Sequence, residues 1–251
     1  MQFLVLASGK GKRLKKYTKK KPKCLVKISK YRIIDYIKIN FKYFKEVIIV
    51  AGYKKKIIQK EFIKQKIIIN KIYYKSNMVH SLFCSKNFIN SDVIISYSDI
   101  VFSPEIIKKM IKIKKTHIPI NQSWLKIWLK RMTKNKVLED AETLKIKSKY
   151  VVSLGDRLIN KLPKFQFMGL IRINLKDFKK LFIFYKSLKN KKIDMTRFLD
   201  LAIKNKVISL SYFKTSKFWF EIDSTNDLNV LKKSKVLNNN LNKLLKDRSS
   251  T

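Results

Sequence analysis

"FLVLASGKGKRLKKYTKKKPK" (residues 3–23) decides how this chain is read. An apolar run leads straight into a loop holding Gly9 and Gly11, and then into cations up to Lys23. The whole sequence has five glycines, so a pair placed this closely inside its most basic stretch points to a backbone requirement. A strand, a glycine turn and a following helix is the setting in which backbone N–H groups hold phosphate. Two common phosphate signatures fail here, because the P-loop and the dinucleotide fingerprint both need glycine where Leu14 stands. The spaced set that is present runs Leu6, Ala7, Gly9, Gly11, Arg13, Pro22, Lys23. Its glycines let the backbone approach a polyphosphate, while Arg13 and Lys23 supply charge. The plain alternative is a solvated basic loop after a strand.

Working outward, apolar runs alternate with helical spacing. Strands are expected at 2–7, 46–52, 66–70 and 92–99, with helices at 33–44, about 53–64, 78–88 and from Pro104. That alternation predicts an α/β fold, a Rossmann-like doubly wound mixed sheet that is mostly parallel. The second half reads differently. A hairpin is expected at 143–154, strands at 165–173, 206–213 and 218–223, and two helices within 175–204. After Ser224 the pattern is helical, then rich in Lys and Asn and expected to fray.

Lys and Arg number 59 against 17 acids, a formal charge of +42. Such a balance invites a nucleic-acid reading. Against it, the lysines are spread over nearly every segment and arginine, the better bidentate reader, is scarce. A 45% hydrophobic and 12% aromatic content argues for a packed core, and the positive field suits small anions. Cys24 and Cys84 have no metal-ligand spacing, no signal-peptide pattern opens the chain, and no run is long enough to span a bilayer. The expectation is a cytoplasmic protein of unassigned oligomeric state.

With the glycine-loop set in place, further segments align in order: "NMVHSLFCS" (77–85), "VIISYSDIVF" (93–102), "WLKIWLKRM" (124–132), "LEDAETLKI" (138–146), "FQFMGLIRI" (165–173) and "WFEIDSTNDL" (219–228). Together they cover most of residues 1–230. The chain resembles the nucleotidyltransferases that make sugar nucleotides, in the branch of cytidylyltransferases acting on phosphocholine or 2-aminoethylphosphonate. The resemblance implies a nucleotidyltransferase domain over 1–230, its nucleotide-binding half 1–115 and acceptor-binding half 116–230, followed by a basic tail, 231–251. It also implies CTP and a small phosphorylated or phosphonylated amine as partners, with Lys23 and Arg13 catalytic. Leu6, Ala7, Gly9, Gly11, Asn77 and Ser81 would complete the nucleotide site, and Mg²⁺ would be the cofactor on Asp99 and Asp223.

Acids are rare enough for their placing to carry information. Asp99 ends the strand "VIISYSD" and Asp223 ends "FWFEID", where ligands bind in open α/β sheets. A loop cap and a helix N-cap are the plain alternatives. Trp124, Trp128 and Arg131 precede Glu139, Asp140 and Glu142, a grouping suited to an ammonium beside a phosphate. A helix start with two core tryptophans fits equally well. Asn77 is also placed to cap a helix, and His80 has no carboxylate nearby in sequence to make it catalytic. Two departures from the family pattern stand out: Lys12 replaces a small hydroxyl residue, and Asp156 and Arg157 lie where a lysine is usual. The competing readings are a sugar 1-phosphate nucleotidyltransferase using UTP or dTTP, and a nucleic-acid-binding basic protein.

Overall fold

The computed structural model describes residues 1–158 and 161–246, so residues 247–251 of the predicted tail lie outside the described part. Strand β1 (Gln2–Ala7) is buried along its whole length and its alternate side chains serve two cores. Leu4 and Leu6 point to one face, and Phe3, Val5 and Ala7 to the other. Only a strand covered on both sides reads as a continuous apolar run, which is what "FLVLA" is. The elements after it are α1 (Ile33–Lys38), β2 (Glu46–Ala51), α2 (Lys55–Glu61), β3 (Lys66–Ile69), α3 (Met78–Cys84), β4 (Val93–Tyr97), β5 (Ile100–Phe102) and α4 (Pro104–Lys112). Strands β3, β2, β1 and β4 pair in that spatial order, all parallel. The chain direction across the sheet reverses at β1, and this is where an α/β sheet opens a crevice at its carboxyl edge.

The second half continues with β6 (His117–Asn121), α5 (Trp124–Arg131), α6 (Lys134–Asp140), β7 (Glu142–Lys147) and β8 (Tyr150–Arg157). Then come β9 (Gln166–Phe167), β10 (Leu170–Ile173), α7 (Leu175–Ser187), α8 (Met195–Lys204), β11 (Ser211–Thr215) and β12 (Trp219–Glu221). Among the described residues they extend the sheet to ten strands, in the order β3-β2-β1-β4-β10-β6-β11-β8-β7, with β9 on β6. Strand β10 joins antiparallel to β4, so the doubly wound sheet is mixed, as expected. Helix α3 packs on one face with α7 and α8, while α1, α2, α4 and α5 cover the other.

Three differences from the sequence reading have physical causes. Strand β6 was not anticipated because "HIPIN" carries Pro119, which usually keeps to edges. Here it sits inside the sheet, opposite Phe213 in a parallel ladder. The stretch 165–173 is two strands, broken at Gly169, whose φ is +73° and whose missing side chain makes room for the Tyr97 ring. The tail does not fray within the described residues. After α9 (Thr225–Lys233), α10 (Lys235–Lys246) buries Leu237, Leu241, Leu244 and Leu245 against Leu14, Ile28 and Ile33. Those leucines recur at helical spacing inside polar sequence, so one stripe of α10 is apolar.

Candidate active site

The glycine loop leaves β1 and turns at Gly11, in left-handed backbone (φ +63°). A side chain here would press into the Lys23 stem, with the nearest carbon at 3.0 Å. Gly11 is thus what lets Lys23 lie against the loop. The turn is closed by Leu14 N–H and the Thr18 hydroxyl, both donating to the Gly11 carbonyl at 3.0 Å. Pro22, fixed near φ −67°, starts the short 3-10 turn that presents Lys23.

Two carboxylates reach that lysine from far along the chain. Asp99 stands between β4 and β5, and β5 pairs antiparallel with β12. The ladder runs one step further, since Ile222 N–H donates to the Asp99 carbonyl at 2.9 Å. Asp223 is the next residue, and so the ladder brings the two acids together. Lys23 Nζ donates to Asp99 Oδ2 and to Asp223 Oδ1, each at 2.7 Å. Arg13 Nη2 lies 2.9 Å from the same Asp223 oxygen, with its side chain two-thirds exposed. Burial alone would lower the Lys23 pKa, but Asp99 and Asp223 outweigh it and hold the ammonium above its ordinary value. Burial would raise Asp223, but Lys23 and then Arg13 pull it down to about 2. Cys24, next to Lys23, is buried and its thiol is pushed up to about 12, so it supplies no nucleophile.

Among the described residues no group of three or more His, Cys, Asp or Glu side chains could hold a metal ion. Two carboxylates are nevertheless what Mg²⁺ takes when phosphate oxygens complete its shell. The pair here fits that role. Asp99 and Asp223 already share one cation, the Lys23 ammonium, and Asp99 Oδ1 is buried without any hydrogen-bond partner.

Beside this group opens a cavity of about 270 Å³ whose walls include Tyr97, Gln166, Asp194, Thr196 and Glu221. Of the residues expected to bind an acceptor, Trp128, Arg131, Asp140 and Glu142 reach it. Trp124 does not. It is 1% exposed, stacks edge-on to Trp128, and donates its indole N–H to the Pro163 carbonyl. Glu139 is exposed on an adjoining outer hollow that also takes in Arg13 and Asp223. Arg131, expected to meet a substrate phosphate, lines the cavity with its guanidinium already paired to acids. It is buried, its Nε donates to Asp227 Oδ1 at 2.9 Å, and its Nη1 reaches Glu221 at 3.4 Å.

Glu142 and Asp194 both accept from the Thr196 hydroxyl, at 3.2 and 3.0 Å. Burial, with Asp194 and Asp156 nearby, raises the Glu142 pKa. Burial and Asp223 hold Glu221 well above the usual carboxylate range, with Arg131 only partly offsetting them. Sequence reasoning missed Glu221, although it stands two residues before Asp223 and therefore on the same strand face. It also missed Asp194, which reads as an ordinary cap of α8.

Leu6 and Ala7 are buried at the end of β1, and Gly9 is exposed on the loop. Asn77 caps α3 with its side-chain oxygen on Met78 N–H, the plain alternative for that residue. Ser81 is buried and accepts from Asn70, at the end of β3. His80 pairs with the Tyr185 hydroxyl at 3.1 Å, away from the carboxylates described above.

Comparison with known proteins identifies the family. The nucleotidyl transferase family model matches residues 2–127. The chain is 34% identical over 253 aligned residues to the CTP:phosphoglutamine cytidylyltransferase of Campylobacter jejuni, covering 92% of this chain and 98% of that protein. It is 30% identical to the choline-phosphate cytidylyltransferase of Streptococcus pneumoniae over 41% of this chain and 46% of that one. Among solved structures, the inositol-1-phosphate CTP transferase of T. maritima superposes with a TM-score of 0.75 at 18% identity, over 98% of this chain and 96% of that one. The Streptococcus pneumoniae CTP:phosphocholine cytidylyltransferase gives 0.71 at 19%, over 92% and 97%. Both likenesses are of fold.

Proposed function

The chain belongs to the nucleotidyl transferase family, and from that premise we propose that it transfers CMP from CTP to a small phosphoryl- or phosphono-bearing amine. An acceptor oxygen attacks the α-phosphorus of CTP, the bond to the β-phosphate oxygen breaks, and its electron pair leaves with pyrophosphate. A phosphomonoester is already largely ionised near neutral pH, its second pKa being about 6, so the reaction needs no general base. Rate enhancement then rests on alignment and on cations placed where charge develops. Lys23, held on the loop by Gly11, meets the α-phosphoryl group, and exposed Arg13 meets the departing pyrophosphate. Asp99 and Asp223 would hold Mg²⁺, which supplies charge neutralisation on the triphosphate when bound.

The observation that carries this reading is the convergence of Lys23 and Arg13 on Asp99 and Asp223 at the carboxyl edge of β1 and β4. For the acceptor, the supporting observation is the cavity's acids in a chain where bases outnumber them more than three to one. Burial and crowding with other acids raise Glu142 and Glu221, and an incoming cation beside them and Asp194 would favour their ionised forms, whose oxygens suit one with N–H groups to donate. The aromatic enclosure that a trimethylammonium needs is weakened by Trp124 lying in the core. Phosphoglutamine, named for the Campylobacter relative, and 2-aminoethylphosphonate both carry such an amine. The test is pyrophosphate release with each of the four ribonucleotides and dTTP against phosphoglutamine, 2-aminoethylphosphonate, phosphocholine and glucose 1-phosphate. CTP with one of the first two should be fastest. Preference for glucose 1-phosphate with UTP or dTTP would replace this reading by the sugar-nucleotide one.

A further inference from the structure

Asp227 is buried at the start of α9, four residues beyond Asp223, and nothing in the reaction above uses it. A helix cap needs little from such a residue: Ser224 at the N-cap accepts from Asp227 N–H, and the carboxylate returns a bond to the N-cap. The observed network does more. Asp227 Oδ2 accepts from Ser224 N–H at 2.7 Å, from the Ser224 hydroxyl at 3.1 Å, and also from Asp223 N–H at 2.8 Å. Its other oxygen takes Arg131 Nε at 2.9 Å. The guanidinium also lies 3.7 Å from Asp223 Oδ2, on the side opposite the oxygen that Lys23 and Arg13 share. Asn226 ties the two helices again by donating to the Arg131 carbonyl.

Burying an ion pair of this kind usually gains little stability over apolar packing, so a cap alone does not explain it. We propose that Asp227 and Arg131 form a positioning pair for Asp223: one holds its backbone N–H, the other faces its outer oxygen, and together they aim the inner oxygen at the triphosphate. The inference rests on the reading of Asp223 as a metal ligand. Holding a carboxylate to within a fraction of an ångström is what a preorganised site demands.

The test compares Ser224→Ala, Asp227→Asn, Asp223→Asn and the Asp227→Asn/Asp223→Asn double variant. Binding of Mn²⁺ with CTP is read by electron paramagnetic resonance, alongside kcat and thermal unfolding. Ser224→Ala removes the cap and the hydroxyl bond to Asp227 but leaves the Asp223 and Ser224 N–H bonds and Arg131 in place. It should therefore lower the unfolding temperature and leave Mn²⁺ binding and kcat within twofold. Asp227→Asn should weaken Mn²⁺·CTP binding at least tenfold. In the Asp223→Asn background the same change should alter binding less than twofold, because a residue acting through Asp223 has nothing left to act on. Multiplying effects, or an Asp227→Asn variant that loses stability alone, would overturn the proposal. If Asp223→Asn itself leaves Mn²⁺·CTP binding intact, the metal reading fails instead. Should Asp227→Asn not fold, Arg131→Lys keeps the buried charge and loses the two-pronged contact. It should show the same loss of Mn²⁺ binding, and intact binding would overturn the pair.

Discussion

At the residue scale, Lys23 does two jobs with one ammonium. Without nucleotide it neutralises Asp99 and Asp223, and in the proposed reaction it meets the phosphoryl group in flight. Lys23→Ala is therefore expected to lower kcat by about 10²–10³-fold, the scale of losing one transition-state donor, while the KM for CTP rises much less. Equal losses in both, measured by steady-state kinetics, would reduce Lys23 to a general phosphate contact. Lys23, Asp99 and Asp223 could be singled out in the sequence because each ends a strand or sits in the glycine-loop motif. The commitments of Arg131 could not, since its partner Asp227 lies 96 residues away. His117 makes a second residue-scale case. Burial, with Arg172 nearby, pushes its pKa down to about 4, and it has no exposed surface. The unfolded chain takes up that proton near pH 6.5 and the folded chain does not, so stability present above pH 6.5 is lost as pH falls towards 4. By pH 5 the loss should be roughly 2 kcal/mol by linkage. It should be visible as a lower urea midpoint that shrinks in His117→Leu, and an unchanged slope in that variant would refute the assignment.

At the element scale, strands with continuous apolar runs were legible, and elements that break a local rule were not. β1, β2 and β3 follow their sequence boundaries within a residue, because buried parallel strands advertise themselves. β6 was hidden by a proline that tertiary packing tolerates, and α10 by lysines and asparagines surrounding a narrow leucine stripe. That stripe matters to the site, because its core includes Leu14, the residue after Arg13. Leu241→Ala should cost about 2–5 kcal/mol, as a fully buried leucine does. It should also raise the KM for CTP, since Leu14 loses part of the wall that seats the loop. Chemical denaturation and CTP titration check both, and a stability loss with unchanged CTP affinity would uncouple α10 from the loop.

At the scale of the whole molecule, the +42 charge is spread over the chain, while six of its seventeen acids, Asp99, Asp140, Glu142, Asp194, Glu221 and Asp223, stand at the cavity or on Lys23. Among the described residues no helix is long and apolar enough to cross a membrane. Binding to DNA or RNA should be weak, indifferent to sequence and lost as salt rises through the physiological range. Anisotropy titrations at two salt concentrations test this, and a salt-resistant, sequence-selective complex would contradict it. The fold class was readable at this scale because alternating strands and helices leave few topologies open. The union of Leu14 with Leu241 was not, because nothing local links the two. That union has a kinetic consequence. A core joining the glycine loop to α10 can close only after most of the intervening chain has collapsed, and such long-range closure comes late in refolding. After dilution from denaturant, secondary structure should therefore return before the ability to bind nucleotide, so that a folding intermediate with a formed sheet is still blind to CTP.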